Sequence, residues 1–171
     1  MLRKQVFSIG RQAAAVALAI GCVNAHAATA TANLDVTATI SANCTISTSA
    51  VAFGTYDPIS ANNSTPLDAT GSVSTTCTSG SSPTITLGEG ANAASGSTAS
   101  APLRQMASGA NVLGYQLYSD SSRATVWADT GVAAPAADGA AQSNTVYGRI
   151  AGGQNKPMGS YSDTVVTTVS F

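Results

Sequence analysis

The stretch Ala28-Thr-Ala-Thr-Ala-Asn-Leu-Asp-Val-Thr-Ala-Thr-Ile40 alternates apolar and polar residues without a break. A period of two predicts one long β-strand with an apolar face and a polar face. The strand carries a single charge, Asp35, and contains neither Lys nor Pro, which commonly keep an edge strand from pairing with other chains. We therefore predict that this strand joins another chain. Its apolar face consists of Ala30, Ala32, Leu34, Val36, Ala38 and Ile40.

Residues 1–27 have the features of a secretory signal peptide. Basic residues precede an apolar run at 13–20, and Ala25-His-Ala27 is a small-x-small cleavage site. The run is shorter than the roughly 20 apolar residues that a transmembrane helix needs. A lipoprotein signal is the alternative, because Cys22 follows a small residue at the end of the run. The signal-peptide interpretation predicts export and a mature chain that starts near Ala28.

The mature chain is mildly acidic and poor in basic residues. Removal of residues 1–27 takes three of the seven basic residues and the only His but none of the eight acidic residues, so the formal charge falls from −1 to −4. Such a surface cannot neutralise a run of phosphates, which argues against a nucleic-acid partner. Its high content of Ser, Thr, Ala and Gly is also compatible with disorder, but the regular apolar alternation argues against that.

No constellation in the mature chain indicates an enzyme. It has no His, no recognisable nucleophile motif and no local pair of carboxylates, so neither a small-molecule substrate nor a cofactor or metal is expected. Asp57 with Asp68, or Asp120 with Asp129, could meet in space for glycoside hydrolysis or calcium binding. Such spacings are common by chance, and we interpret these residues as turn formers.

Cys44 and Cys77 are the only cysteines that remain after export. An even count in an oxidising compartment predicts that they are bonded to each other. Closure of a loop of about 33 residues would contribute roughly 3–4 kcal/mol in the chain-entropy model. A reactive or metal-binding thiol is the less favoured alternative, because neither Cys has a CxxC neighbour.

The rest of the chain consists of short alternating segments separated by Gly, Pro, Asn, Ser and Asp, which is typical of a β-sandwich. The last of them has Tyr161, Val165, Val169 and Phe171 on one face. Two stretches rich in Ala, Ser and Gly, 88–100 and 131–143, are predicted to be surface loops. The predicted segments are 44–49, 50–56, 71–78, 84–87, 112–118, 125–127, 145–150 and 161–171.

Several aromatic residues lie at alternating positions within these segments. Trp127, Tyr115, Tyr118 and Tyr147 could form a sugar-binding shelf, but aromatic residues at such positions are more often part of the core.

In their order along the chain, these segments resemble the spore coat protein U domain family, the pilin subunits of archaic chaperone-usher (Csu-type) pili. The resemblance covers nearly all of the mature chain and includes both cysteines. The blocks that carry it are 41–46, 53–58, 71–77, 113–120, 123–127, 145–150 and 159–165, with Phe171 at the end.

The resemblance implies an all-β fold, an incomplete immunoglobulin-like β-sandwich that a donor strand from a neighbouring subunit completes. The acceptor groove would run along residues 161–171, with Tyr161, Val165, Val169 and Phe171 facing it. Residues 28–40 would be the donor strand, with its apolar face as the plugs, and residues 41–171 the pilin domain.

The implied partners follow from the same resemblance. A periplasmic chaperone would fill the groove until, at the outer-membrane usher, the donor strand of the next identical subunit replaces it. The product would be a head-to-tail fibre, a fimbrium exported through the periplasm to the cell surface for adhesion and biofilm formation. One domain suits the major shaft subunit, beside a two-domain tip adhesin. The alternatives are a secreted monomeric β-sandwich that binds a glycan or surface, or a spore or envelope coat protein.

Overall fold

The computed structural model describes residues 27–171. The predicted signal peptide therefore lies outside the described residues, except for Ala27. The chain divides into two units, one that ends at Ala38 and a second that comprises Thr39–Phe171. Every β-strand of the described part belongs to the second unit. The strands are β1 Cys44–Ser49, β2 Leu67–Cys77, β3 Thr84–Leu87, β4 Gln105–Ser108, β5 Asn111–Gly114, β6 Gln116–Tyr118, β7 Val132–Ala133, β8 Ala141–Ile150 and β9 Thr167–Ser170.

The larger sheet contains four antiparallel strands in the order β1-β2-β8-β6. Its long central strands, β2 and β8, pair from Leu67 opposite Ile150 to Thr76 opposite Ala141. β1 lies at one edge of this sheet, where Cys44 is opposite Cys77 and a disulfide joins the two residues. The predicted cysteine pairing is confirmed. We call this end of the sheet the disulfide pole, and the end where β2 begins and β8 ends the open pole.

The smaller sheet has the order β7-β3-β9, and β4 and β5 form a separate hairpin. β3 pairs with β9 so that Thr84 is opposite Ser170 and Leu87 is opposite Thr167. Because six residues separate Cys77 from Thr84, the chain's C-terminus lies towards the disulfide pole. The segment 161–171 therefore runs from the open pole to the disulfide pole.

The core lies between the two sheets and is apolar. Val73 and Val146 contribute from the larger sheet, and Ile85 and Leu87 from the smaller sheet. Trp127 is buried in the same cluster, and its indole N–H donates a 2.9 Å hydrogen bond to the carbonyl of Ile85. This residue belongs to the core and is not available for a sugar-binding shelf.

Residues 28–40 do not form the predicted β-strand within one copy of the chain. They are exposed along their whole length and are not part of any sheet. A strand needs a neighbour to satisfy its backbone hydrogen bonds, and no residue of the described part provides them here. The alternative in which these residues are the first or last strand of their own sandwich therefore has no strand pairing in support of it in the described part of the chain.

Several other predicted segments are shorter or interrupted. Of 161–171, only Thr167–Ser170 is a regular strand, and Ser162 makes one isolated bridge to Ala107. Residues 50–56 form no strand, and 125–127 contributes a single bridge. The segment 112–118 is split at Tyr115 into β5 and β6.

The stretch 131–143 is not the predicted surface loop. It contains β7 and the start of β8, and Ala134 and Ala137 are buried. The small Ala side chains allow this stretch to lie close to the smaller sheet, where Ala134 and Ala137 donate their N–H groups to the carbonyls of Pro83 and Ser81. β7 pairs with β3 and so covers that edge of β3. The stretch 88–100 has no strand, as predicted. β4 at Gln105–Ser108 was not predicted.

Candidate functional site: an open groove between two unpaired edges

A groove of about 1190 Å³ opens on one side of the sandwich, between residues 48–56 and residues 154–165. We call residues 48–56 the first wall and residues 154–165, with their continuation to Thr167, the second wall. The first wall runs away from the disulfide pole, so the two walls are antiparallel to each other. Core side chains form the floor, among them Val73, Leu87, Leu113, Leu117, Val146 and Ile150.

Two glycines bring the first wall close to the larger sheet. A Cβ on Gly71 would lie 2.6 Å from the carbonyl oxygen of Ser49, and a Cβ on Gly148 would lie 2.6 Å from Cγ1 of Val51 and 2.7 Å from Cζ of Phe53. Only glycine permits this approach. Val51 and Phe53 therefore face inward and are half-buried, whereas their neighbours Ala50, Ala52 and Gly54 are exposed.

The second wall shows the predicted alternation. Tyr161 and Val165 line the groove and are half-buried, and Val169 packs beside them against the core. Phe171 is half exposed and does not line the groove. The structure thus brings together three of the four residues predicted for this face.

The backbone of the second wall is satisfied on one side only. Gly88 donates its N–H to the carbonyl of Val166, and Ala91 donates its N–H to the carbonyl of Thr164, both at 2.9 Å. Because backbone polar groups of successive residues point to opposite edges of a strand, the N–H and C=O groups of residues 165, 167 and 169 point towards the groove. Within the described chain they have no partner.

The first wall has an unpaired backbone as well. Regular pairing with β2 ends at Ser49, and residues 50–56 make no backbone hydrogen bond to any residue that the structure describes. An apolar floor between two unpaired edges is the geometry that accepts an added β-strand, because the edges supply main-chain bonds and the floor supplies pockets for alternate side chains.

Asp163 interrupts the apolar face of the second wall and is held by a polar network. Its carboxylate accepts a 2.6 Å hydrogen bond from the Tyr115 hydroxyl and two from Asn92, at 3.1 Å from the backbone N–H and 3.0 Å from Nδ2. Gly90 leaves room for the carboxylate, which a Cβ there would overlap. Burial raises the pKa of Tyr115 far above its usual range, and the hydrogen bond to Asp163 adds to that effect. Tyr115 therefore stays a proton donor that ties the wall to the floor.

Arg104 is 2% exposed and contacts Leu87, a residue of the groove floor, through the Leu87 carbonyl. Its guanidinium donates to the carbonyls of Leu87, Gly88 and Trp127 and to the side chain of Gln116. Burial lowers its pKa from the usual value. These partners lie in three separate segments. The Arg104 side chain therefore cross-links the end of β3, the loop between β6 and β7 that contains Trp127, and β6 itself. No pattern in the sequence marks it as buried.

Several of the other charged residues serve local structure. Asp68 accepts two hydrogen bonds from Arg149 and forms an ion pair with Arg123. The hydrogen bond from Arg149 lowers the pKa of the Asp68 carboxyl. Asp57 accepts the backbone N–H groups of Ile59 and Ser60, and these bonds lower the pKa of its carboxyl. The pKa of the Asp120 carboxyl is lowered chiefly by a hydrogen bond from the Ser122 hydroxyl and further by the backbone N–H groups of Thr125 and Ala124. The turn-former interpretation thus fits Asp57 and Asp120, whereas Asp68 is an ion-pair partner.

Three or more metal-binding side chains do not come together anywhere in residues 27–171. The same residues contain no helix long and apolar enough to cross a membrane.

The predicted donor face is fully accessible. Leu34, Val36 and Ile40 are between 85% and 87% exposed, and every other residue from 28 to 40 is exposed too. Apolar side chains of this size normally find cover, and a row of them marks an interaction site. One chain thus contains both an uncovered apolar strand sequence and an unfilled apolar groove.

The comparisons with known proteins agree with this geometry. The family model described as Spore Coat Protein U domain matches residues 30–168. Protein U of Myxococcus xanthus is 44% identical over 157 residues, which cover 86% of this chain and 88% of that protein.

A solved structure supports the fold. It is the CsuC-CsuE chaperone-tip adhesion subunit pre-assembly complex from archaic chaperone-usher Csu pili of Acinetobacter baumannii, matched with a TM-score of 0.57 and 24% identity. The match covers 78% of this chain and 40% of the chain in that complex. This likeness confirms the predicted immunoglobulin-like all-β fold.

Proposed function

Because the chain belongs to the Spore Coat Protein U domain family, we propose that it is a structural subunit that polymerises by strand exchange. The apolar face of residues 30–40 of one copy fills the groove of the next copy. The observation that carries this proposal is the pairing, within one sequence, of an exposed alternating strand and a groove with two unpaired backbone edges.

The energetics favour such an exchange. Burial of Leu34, Val36 and Ile40 would contribute roughly 1.5–3 kcal/mol each, and the unpaired edges of both walls would gain backbone hydrogen bonds. Part of this gain offsets the loss of freedom of an extended segment. Ala38 is a further candidate plug between Val36 and Ile40, and Ala30 and Ala32 are weaker extensions of the same face.

The positions of the two poles indicate the direction of the inserted strand. Each copy's own donor segment leaves through Cys44 at the disulfide pole. If the inserted strand of the incoming copy were also joined to the rest of that copy at the disulfide pole, two neighbouring copies would crowd against the same end of the sandwich. An open, head-to-tail fibre instead places the connection of the incoming copy at the open pole. The inserted strand then runs antiparallel to residues 161–171, which is also the more stable pairing.

The same proposal extends to partners and location. A subunit with an empty apolar groove needs a chaperone in the periplasm that fills the groove until assembly, and an outer-membrane usher to exchange the strands. The fibre would be a surface fimbrium that serves adhesion and biofilm formation, with a two-domain adhesin at its tip. The fold likeness to a chain of the chaperone-adhesion subunit complex supports this assignment.

A coat-layer role is the second candidate, favoured by the 44% identity to Protein U and by the description of the family model. It uses the same strand exchange but deposits the polymer as a layer. Negative-stain electron microscopy of cells that produce the protein distinguishes the two, because thin filaments support a fimbrium and a continuous outer layer supports a coat.

The direct test is polymer formation by the mature chain. Leu34→Asp or Val36→Asp places a charge on the apolar face and should abolish the ladder of denaturant-resistant multimers on a gel. Thr37→Asp, on the polar face of the same segment, is the matched control and should leave the ladder intact. Equal ladders from all three variants would refute strand exchange through this face.

A further inference from the structure

We propose that β1 makes a lateral contact with a second copy, in which the two β1 strands pair antiparallel with Ile46 opposite Ile46 of the second copy. The contact involves neither residues 28–40 nor the floor of the groove. It would join the larger sheets of two copies into one continuous sheet of eight strands, four from each copy. It rests on the proposed function in one respect, because many such contacts act together only when the copies are held in a polymer.

β1 is an uncovered edge of the larger sheet. It pairs with β2 on one side, and no segment among residues 27–171 pairs with its other side. All of its residues except Cys44 are exposed. The opposite edge of the same sheet, β6, is covered instead, because Trp127 donates its backbone N–H to the carbonyl of Leu117 at 2.9 Å. The chain thus covers one edge of this sheet and leaves the other edge open.

The backbone groups on the open side of β1 belong to alternate residues. The carbonyl of Asn43 accepts the Thr78 N–H at 2.9 Å, so the backbone of Asn43 faces β2. Because successive residues point to opposite edges of a strand, the backbone of Cys44 faces away from β2. The distance of 4.1 Å between the Cα atoms of Cys44 and Cys77 agrees, since opposite residues that exchange no hydrogen bonds lie closest together. The residues whose N–H and C=O groups point outward are Cys44, Ile46 and Thr48.

β1 lacks the features that protect an edge strand from pairing. Its sequence, Cys-Thr-Ile-Ser-Thr-Ser, contains neither a charge nor Pro, and proteins use both to prevent edge-to-edge association. Its neighbours in β2, residues 72–77, are uncharged as well. The disulfide pole does carry carboxylates, at Asp138 in the turn before β8 and at the C-terminus after β9. In an antiparallel pair, the disulfide poles of the two copies lie at opposite ends of the shared edge, so these carboxylates do not face each other.

The edge is complementary to itself, and this identifies a second copy as its occupant. An antiparallel pair centred on Ile46 sets the outward groups of Ile46 against the same groups of the second copy, and those of Cys44 against those of Thr48. Each outward N–H then meets a C=O, as in a hydrogen-bonded pair of an antiparallel ladder. The Ile46 side chain is 39% exposed in one copy, and its equivalent in the second copy would cover it. A two-fold axis generates this arrangement from one sequence, whereas a different partner would need a strand matched to this register.

One such contact is small, because only the six residues of β1 take part in each copy. Pairing of two short edges belongs with the weak interfaces. A polymer presents the edge once in every subunit, so two neighbouring filaments make many contacts at once, and multivalency raises their overall affinity without any new contact. β1 would therefore leave single subunits separate but join filaments side by side.

A charge added at the edge tests the contact. Ser47→Lys places an ammonium group on the exposed outer face of β1, and the two copies of that group would repel each other across the contact. Thr70→Lys is the matched control, because Thr70 is exposed on the same face of the larger sheet but lies in β2 beyond the end of β1. In electron micrographs we expect side-by-side filaments from the unaltered chain and from Thr70→Lys, and single filaments from Ser47→Lys. Bundling that Ser47→Lys does not reduce, or single filaments from the unaltered chain, would overturn the inference.

Two further readouts identify the occupant and separate this contact from strand exchange. A photo-crosslinking residue in place of Ser47 should give crosslinks that mass spectrometry maps to residues 44–48 of another copy, and the same residue in place of Thr70 should not reach that strand. Crosslinks from position 47 to residues 28–40 would show that a donor segment covers the edge and would refute pairing of β1 with β1. The ladder of denaturant-resistant multimers should be the same for Ser47→Lys, Thr70→Lys and the unaltered chain. If the unaltered chain forms no ladder, the proposed function fails and the lateral contact fails with it.

Discussion

The hydroxyl of Tyr115 donates a 2.6 Å hydrogen bond to the carboxylate of Asp163, and this contact joins the floor of the groove to its second wall. It lies where residues 161–171 lack regular strand pairing, between the bridge at Ser162 and the start of β9 at Thr167. The side-chain network therefore holds the wall in place where a backbone ladder does not.

Loss of the Asp163 carboxylate should destabilise the fold. Asp163→Ala leaves the Tyr115 hydroxyl and two Asn92 donors without their acceptor, and each half-buried group left unpaired costs about 1–3 kcal/mol. Asp163→Asn keeps one acceptor oxygen and should lose less. Chemical denaturation measures both, with Asp129→Asn at an exposed carboxylate as the control. Equal stability of Asp163→Ala and the control would contradict a structural role for the network.

Gly148→Ala should push the first wall away from the larger sheet. The added methyl group would meet Val51 and Phe53 at 2.6 and 2.7 Å, and overpacking of this kind costs about 1–3 kcal/mol. Because these side chains line the groove, a synthetic peptide of residues 28–40 should also bind more weakly in a fluorescence titration. Gly88→Ala is the control, since a Cβ there has ordinary contacts at 3.4 Å and beyond. Identical behaviour of the two variants would show that the close approach is unimportant.

Arg104→Met should be strongly destabilising although it removes an isolated charge. It leaves the carbonyls of Leu87, Gly88 and Trp127 without their donor, and each such group costs about 1–3 kcal/mol when buried. The surface variant Arg149→Met loses an exposed ion pair that is worth about 0–1 kcal/mol. Thermal unfolding of the two variants should therefore differ clearly, and a smaller loss for Arg104→Met than for Arg149→Met would contradict the cross-linking role.

The pH dependence of stability should include a small contribution from Asp68. Its hydrogen bond from Arg149 lowers the folded-state pKa, so the stabilisation is present above the unfolded-state pKa of about 3.9 and is lost as the pH falls through the folded-state value. Because the pair is partly exposed, its size is about 0–1 kcal/mol. Asp68→Asn should flatten this part of the acid limb in denaturation curves recorded from pH 6 downwards. An acid limb as steep as that of the unaltered chain would contradict it.

Local alternation predicted those parts of the fold in which a strand has its partner within the chain. β2, β8 and the Cys44–Cys77 disulfide follow from alternation and cysteine count, because antiparallel neighbours satisfy each other directly. Residues 28–40 have the strongest alternation of all and yet form no strand, since a pattern specifies which face is apolar but cannot supply a neighbour. Their role as a donor strand stays a prediction.

The candidate site was predictable in its apolar part and not in its polar part. Val165 and Val169 share a face because a period of two places them there. The position of Asp163 on that same face depends on partners 48 or more residues away. The burial of Arg104 depends on carbonyls in two separate segments, at Leu87–Gly88 and Trp127, and on the side chain of Gln116. Such tertiary hydrogen bonds leave no periodic signal in a single sequence.

Strand exchange requires that one copy of the chain be an incomplete sandwich. The most direct test compares thermal unfolding of the mature, disulfide-bonded chain lacking residues 28–40 with a form in which that segment follows Phe171 on a short flexible linker. A short linker from the disulfide pole lets the segment enter the groove antiparallel to residues 161–171. We predict a low-melting, aggregation-prone protein in the first case and a monomer of much higher stability in the second. No gain on relocation, together with a stable monomer from the original mature chain at high concentration, would contradict strand exchange.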